Sequence, residues 1–210
     1  MSEPRTARYD EKLESILHTA AGIFADKGYH RASIRDIARG TKVSLSGLYY
    51  YFDSKEELLF LIQDHAFGTL LERLERRLEG VDDPRERLRL LVENHLRFFA
   101  ENMAEMKVLS HEARSLSGDY RSKVNAKKQR LTDTAMEIVR GLKPAAGVDL
   151  RVATFGLFGM MNWLYNWYRP GVDVPVETLA GDVTSIFLDG YQRDGLPGRK
   201  ESPPGETAGK

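Results

Sequence analysis

Between Lys27 and Lys55 the chain gathers Lys27, Arg31, Arg35, Arg39, Lys42 and Lys55 against only Asp36 and Asp53, and it closes on S-L-S-G-L-Y-Y-Y-F-D-S-K. Cations in such density bind anions. Phenols beside them can pack a core, stack on bases or donate hydrogen bonds to phosphate oxygens. The segment carries a formal +4 within a chain of net charge zero, so the remainder carries −4. A basic patch inside a neutral protein points to a polyanion met at one place. A second cationic set, Lys123, Lys127 and Arg130, falls at i, i+4 and i+7 on one helical face, where a stripe is either solvated or a phosphate ledge.

Catalytic constellations are missing. His18, His30, His65, His95 and His111 stand apart and read mostly as surface or helix-face residues. There is no H-E-x-x-H, no glycine-rich phosphate loop and no elbow serine. With no cysteine, a disulfide scaffold, a cysteine-rich zinc site and a thiol nucleophile are excluded together. The sequence therefore implies no enzyme, no metal and no cofactor.

The elements that must hold these residues read as all-α, about nine helices, because strand-like alternation is lacking and proline and glycine are sparse inside the periodic segments. A flexible arm is expected over residues 1–9. The first helix is expected from Asp10 to Lys27, with Leu13, Ile16, Leu17, Ala20, Ile23 and Phe24 on one face and Gly28 as its stop. Ser33, with Asp36 three residues on, reads as a capping box for a second short helix ending near Thr41. Ser44 caps a third through the tyrosines, and S-K-E-E from Ser54 opens a long fourth helix to about Glu79. Residues 10–53 thus form a helix-turn-helix domain.

Residues 54–194 are expected to form a second helical domain. Its further helices run from Pro84 to Asn102, on to Leu116, from Tyr120 to Gly141, from Leu150 to Tyr168 and from Val176 to Tyr191. The proline- and glycine-rich tail, residues 195–210, is expected to be disordered. Val152 to Tyr168 is uncharged but shorter than the roughly 20 residues a bilayer needs, and no leader pattern precedes it. A cytoplasmic protein without membrane partners is the expectation.

On a helix, Leu48 and Phe52 share a face, and Tyr49 lies about 100° from Leu48. Leu48, Tyr51 and Phe52 are expected to pack on the first helix, leaving Tyr49 and Tyr50 outward beside Ser44, Leu45, Ser46 and Gly47. A face that is small at its start and phenolic at its end suits a major groove. These residues also carry a resemblance. Residues 10–57, above all F-A-D-K-G-Y-H-R-A-S-I-R-D-I-A and V-S-L-S-G-L-Y-Y-Y-F-D-S-K-E-E-L, resemble the DNA-binding domain of the tetracycline-repressor (TetR) family. The resemblance implies a homodimeric regulator, most simply a repressor, that reads a palindromic operator and lets go when a ligand moves the two heads apart. Position by position it implies DNA contacts from Ser33 and Arg35, base contacts from Ser44, Leu45, Ser46 and Gly47, base or backbone contacts from Tyr49 and Tyr50, and a phosphate contact from Lys55. Lys42 stands where the family usually has glycine, so a left-handed lysine costing about 1 kcal/mol is expected there.

The run G-L-F-G-M-M-N-W-L-Y-N-W-Y-R-P-G, residues 156–171, resembles a TetR subgroup that responds to acyl-coenzyme A thioesters and controls fatty-acid or sterol side-chain degradation. Such a ligand needs an apolar tunnel, for which Phe98, Phe99, Met103, Met106, Phe155 and Phe158 are candidates. It also needs cations for its phosphates: Lys123, Lys127 and Arg130, with His111 and Arg114 near the end of the ledge. Gly156, Met160, Trp163, Trp167, Val183, Ile186, Phe187 and Gly190 offer more apolar and small surface than one core uses, which points to a four-helix dimer interface. Two readings stay beside this one: a repressor answering another hydrophobic molecule, as in drug-efflux control, and a non-catalytic helical interaction protein.

Overall fold

In a computed structural model that describes residues 3–112, 114–143 and 148–191, every described element is helical. The order is α1 (Glu3–Lys27), α2 (Ile34–Thr41), α3 (Leu45–Leu48), α4 (Lys55–Leu78), α5 (Pro84–Glu101), α6 (Met103–His111), α7 (Gly118–Gly141), α8 (Leu150–Asn162), a 3-10 turn (Trp163–Asn166) and α9 (Val176–Tyr191). The helices begin where their caps stand. Ser33 Oγ accepts from the Asp36 N–H, and Asp36 Oδ2 accepts from the Ser33 N–H, closing the box on α2. Ser44 Oγ accepts from Gly47 N and Ser54 Oγ from Glu57 N. Asp83 before Pro84, and Asp149, cap α5 and α8 in the same way. Gly28 ends α1 at φ 79°, and Lys42 takes φ 54° between α2 and α3.

Four boundaries depart from the sequence reading. α3, expected to run through the tyrosines, ends at Leu48, and Tyr49 to Tyr51 follow as turn. α1 starts at Glu3, so most of the expected arm is helix. The only proline there, Pro4, sits in the first turn, where its missing N–H costs no bond. The sixth helix ends at His111, short of Leu116, and the eighth stops at Asn162 and tightens into the 3-10 turn. The tail at residues 195–210 lies outside the described residues.

Apolar faces sort into two buried clusters. One joins Ile16, Ala20 and Phe24 of α1 to Ile37, Leu48, Phe52 and the first half of α4 (Leu58, Leu59, Ile62), and Val108, Leu116 and Val124 close it from behind. The other gathers Leu70, Leu74 and Leu78 from the second half of α4 with residues of α5 to α9, among them Phe98, Phe99, Leu131, Leu157, Val183 and Phe187. α4 belongs to both. The division expected between residues 53 and 54 is therefore bridged by a shared helix and by side chains from α6 and α7. Among the described residues, no helix is long and apolar enough to cross a membrane.

Candidate DNA-reading head and effector cavity

Burial divides the aromatic run. Leu48 and Phe52 are buried, whereas Tyr49 is 52% and Tyr50 71% exposed. Tyr51 is half-buried and stacks on Tyr9 at 5.0 Å, and the Tyr50 ring meets both edge-on. Tyr9, within the expected arm, thus braces the outer phenols; the lack of proline or glycine between Arg5 and Asp10 was the signal for it. Gly47 is required by close packing. A Cβ there would lie 2.9 Å from Val43 Cγ1 and 3.1 Å from Ser44 Oγ, pressing on the cap of α3.

Around this face, Arg35, Ser44, Leu45, Ser46 and Lys42 are exposed. Arg35 has no hydrogen-bond or ion-pair partner among the described residues. Arg39 and Lys27 instead hold Asp36, and those contacts with the Ser33 cap keep its carboxyl well below the usual carboxylate range. Two residues expected at the DNA have their donors engaged within the chain. The Ser33 hydroxyl donates to Asp36 Oδ2 at 2.7 Å, so its one proton is spent in the capping box. Lys55 Nζ lies 3.0, 3.3 and 3.1 Å from the carbonyls of Tyr29, His30 and Ala32, and 4.6 Å from the centre of the Tyr29 ring. An ammonium has three donors; here they tie the α1–α2 turn to α4 instead of reaching outward.

Behind the head, α4 to α8 surround a cavity of about 340 Å³, lined by Phe67, Leu70, His95, Phe99, Met106, Leu109, Ser110, Lys128, Leu131, Thr132, Phe155, Phe158 and Asn162. Of the expected tunnel residues, Phe99, Met106, Phe155 and Phe158 are in its wall. Phe98 is not: it turns into the core, with Arg73 over its ring at 5.8 Å. Met103 is half-buried outside the wall, and Arg114 is exposed, accepting an Arg121 N–H on its carbonyl.

The expected phosphate ledge faces α4, not the cavity. Lys127 pairs with Asp64 at 2.6 Å, Arg130 with Glu75 at 2.7 Å, and Lys123 lies over the Phe60 ring at 5.7 Å. The cavity's cation is Lys128, one residue off that stripe and so about 100° around the helix. Its ammonium lies 5.2 Å over the Phe67 ring with no acid partner among the described residues, and burial lowers its pKa. The signal was in the sequence: Val124, Lys128, Leu131 and Ala135 keep apolar spacing, with a lysine inside the stripe. His95 was also missed. It is 3% exposed inside the apolar face of α5, its Nε2 is 2.8 Å from Asn162 Oδ1, and burial brings its pKa down to about 4.

Like α4 and α7, α6 touches both regions. α6 gives Met106, Leu109 and Ser110 to the cavity wall. From its other face Glu105 Oε1 meets His18 Nδ1 of α1 at 2.7 Å. Just past its end, Glu112 Oε1 accepts the Tyr29 N–H at 3.4 Å.

On the far side, Gly156, Trp163, Trp167, Ile186 and Gly190 are exposed and Met160 is half-buried, with Trp163 and Ile186 each 62% exposed. Val183 and Phe187, expected at the same face, point into the chain's own core against α5 instead, one helical side away from Ile186. A Cβ on Gly156 or Gly190 would meet nothing within 4 Å. Among the described residues, no group of side chains could hold a metal ion.

A short two-helix reading head with an exposed phenolic face, backed by a helical shell, defines a helix-turn-helix protein. Residues 16–62 match the family model for bacterial regulatory proteins of the tetR family, and residues 81–191 match the tetracyclin repressor-like C-terminal domain. The chain belongs to the TetR family. It is 30% identical over 187 residues to the HTH-type transcriptional repressor KstR2 of Rhodococcus jostii (strain RHA1), covering 83% of this chain and 88% of that protein. It is 23% identical over 184 residues to the fatty acid metabolism regulator protein of Bacillus subtilis (strain 168), covering 85% and 95%. The crystal structure of AibR in complex with isovaleryl coenzyme A and operator DNA superposes with a TM-score of 0.74 at 27% identity, covering 83% of this chain and 97% of AibR.

Proposed function

We propose that the chain is a cytoplasmic, non-catalytic repressor that binds a palindromic operator as a homodimer and is released by an acyl-CoA thioester held in the α4–α8 cavity. Arg35, Tyr49 and Tyr50 meet the DNA backbone or bases, and Ser44, Leu45, Ser46 and Gly47 lie against base edges. Ser33 and Lys55 act behind them, fixing α2 and the turn before it. Two copies join through the exposed face of α8 and α9, where Trp163, Trp167 and Ile186 are the anchors and the glycines admit close approach.

The observation that carries the reading is the position of α6, whose two faces meet the cavity wall and the head. An occupant that prefers a shifted α6 moves the head, and it releases DNA only to the extent that it binds the shifted form better. A volume of about 340 Å³ is small for a ligand pocket, which typically spans about 300–1,000 Å³, so a short or medium acyl chain fits better than a long one. The relatives support the class: one is a fatty acid metabolism regulator, and AibR holds isovaleryl coenzyme A with its operator. The deciding experiment selects bound fragments from the host genome and titrates the complex with butanoyl-CoA, octanoyl-CoA, coenzyme A and the free acids. Release by a thioester but not by coenzyme A or the acids is expected; no selected fragment, or release by none of them, overturns the reading.

A further inference from the structure

The effector cavity has a buried apolar floor and a polar rim. Leu70, Phe99 and Leu131 are buried, whereas Ser110 is exposed and Lys128 and Thr132 are half-buried. A hydrocarbon chain settles on the floor, so the polar end of an amphipathic occupant is left at the rim. The one amine among these wall residues is that of Lys128. Its Nζ lies 5.2 Å over the ring of Phe67, itself a wall residue, and meets no acid among the described residues. Lys127, beside it in sequence, is tied to Asp64 at 2.6 Å. An ammonium in a desolvated site without a counter-ion gives up its proton more readily, and burial lowers the Lys128 pKa accordingly. A lysine that has lost its proton in an apolar pocket is a nucleophile.

Resting on the acyl-CoA reading above, we propose that Lys128 is acylated by the thioester at the rim and keeps the acyl group in the cavity as an amide. The Nζ lone pair bonds to the thioester carbonyl carbon, and the carbon–sulfur bond breaks with its electron pair going to sulfur. The proton shed by Nζ passes to that thiolate, so coenzyme A leaves as the thiol and no oxidant or further reactant is consumed. The amide removes the charge of Lys128 and leaves the acyl chain beside Met106 and Leu109 of α6. The weakened hold on operator therefore outlasts the free thioester, whereas an occupant held only by contacts leaves on dilution.

Peptide-mapping mass spectrometry of the full wild-type chain incubated with octanoyl-CoA tests this and needs no variant to fold. One octanoyl group is expected on Lys128, formed about tenfold or more faster than on Lys107, an exposed lysine of α6, because the cavity holds amine and thioester together. The thioether S-octyl-coenzyme A, which has no carbonyl to attack, should protect Lys128 and leave the slow reaction at Lys107 unchanged. Acylation of Lys128 no faster than that of Lys107, or undiminished by the thioether, is chance surface chemistry and overturns the proposal. After removal of unbound thioester, the octanoylated chain should still bind operator more weakly than the untreated chain in a gel shift; full recovery overturns the lasting response. Calorimetry separates the two readings. Octanoyl-CoA that binds without acylating Lys128 overturns the covalent step and leaves the acyl-CoA reading standing, and octanoyl-CoA that does not bind overturns both.

Discussion

The reading head and the effector cavity are fixed in different ways. In the head, functional side chains are placed by residues close by in sequence: Ser33 with Asp36, Ser44 with Gly47, and Lys42 in the turn between. In the cavity they are placed from far away, His95 by Asn162 of α8 and Lys128 by Phe67 of α4. Local placement is written in short motifs. Distant placement depends on which helical side faces which neighbour, and one residue changes that by about 100°. The lesson is that the two regions carry different information in the sequence, although α4 gives them a common core.

That common core gives the largest effect with which to break the contrast. Phe24 is 2% exposed in the head and meets Tyr29 edge-on. Phe24→Ala is expected to cost about 3–5 kcal/mol. Because α4 is shared, the loss should appear in one cooperative transition. Denaturant unfolding followed by tryptophan fluorescence, which reports Trp163 and Trp167 in the far region, and by far-ultraviolet circular dichroism should give coincident curves. Two separated transitions would make the regions independent.

Next in size is His95. Its folded pKa, about 4, lies below the ordinary value of 6.5, so the unfolded chain takes up a proton first as pH falls. Stability is fully present above pH 6.5 and declines down to about pH 4, by about 3 kcal/mol in all. Denaturant midpoints measured across that range should show the decline in the wild-type chain and not in His95→Phe. An equal decline in both would place the titrating group elsewhere.

The neighbours Lys127 and Lys128 sharpen the contrast within a single turn. Lys128→Met is expected to weaken acyl-CoA binding by about 1.5–3 kcal/mol, the worth of a charged hydrogen bond, without loss of stability. Lys127→Met removes a partly exposed ion pair to Asp64 and is expected to cost no more than about 1 kcal/mol of stability while leaving acyl-CoA affinity unchanged. Calorimetric titration of both variants checks the pair; the reverse outcome would restore the stripe at Lys123, Lys127 and Arg130 as the ligand site. Smallest is Tyr49→Phe, for which a loss of about 0.5–1.5 kcal/mol in operator binding and no change in thermal midpoint are expected from one hydrogen bond.

The same distinction explains how much was legible beforehand. The all-α architecture, the helix-turn-helix, the capping box on α2 and the outward Tyr49 and Tyr50 follow from local chemistry; at Ser54 only the cap forms, since Glu57 accepts from Asp53 N instead of closing the box. Ser33 and Lys55 were in the right region, but their partners, Asp36 and three backbone carbonyls, come into view only with hydrogen-bond geometry. In the far region Phe99, Met106 and Phe158 were legible as buried apolar positions, whereas Phe155 lines the cavity while 48% exposed. Lys128 and His95 were hidden because a cation and an imidazole inside apolar stripes read as interruptions of a face until the opposing helices are known. Val183 and Phe187 were assigned to a partner because surplus apolar surface does not say which side of α9 its own α5 will claim.

The central claim is that α6 couples the cavity to the head, and the affinity of an acyl-CoA measured with and without saturating operator DNA tests it most directly. Linkage requires that DNA weaken the thioester by the same factor by which the thioester weakens DNA, and a factor of about five or more is expected in the wild-type chain. With Glu105→Ala and Glu112→Ala together, which cut the contacts from α6 to His18 and Tyr29, that factor should fall toward one while each ligand still binds alone. A thioester affinity indifferent to operator in the wild-type chain, or an undiminished factor in the double variant, would contradict it.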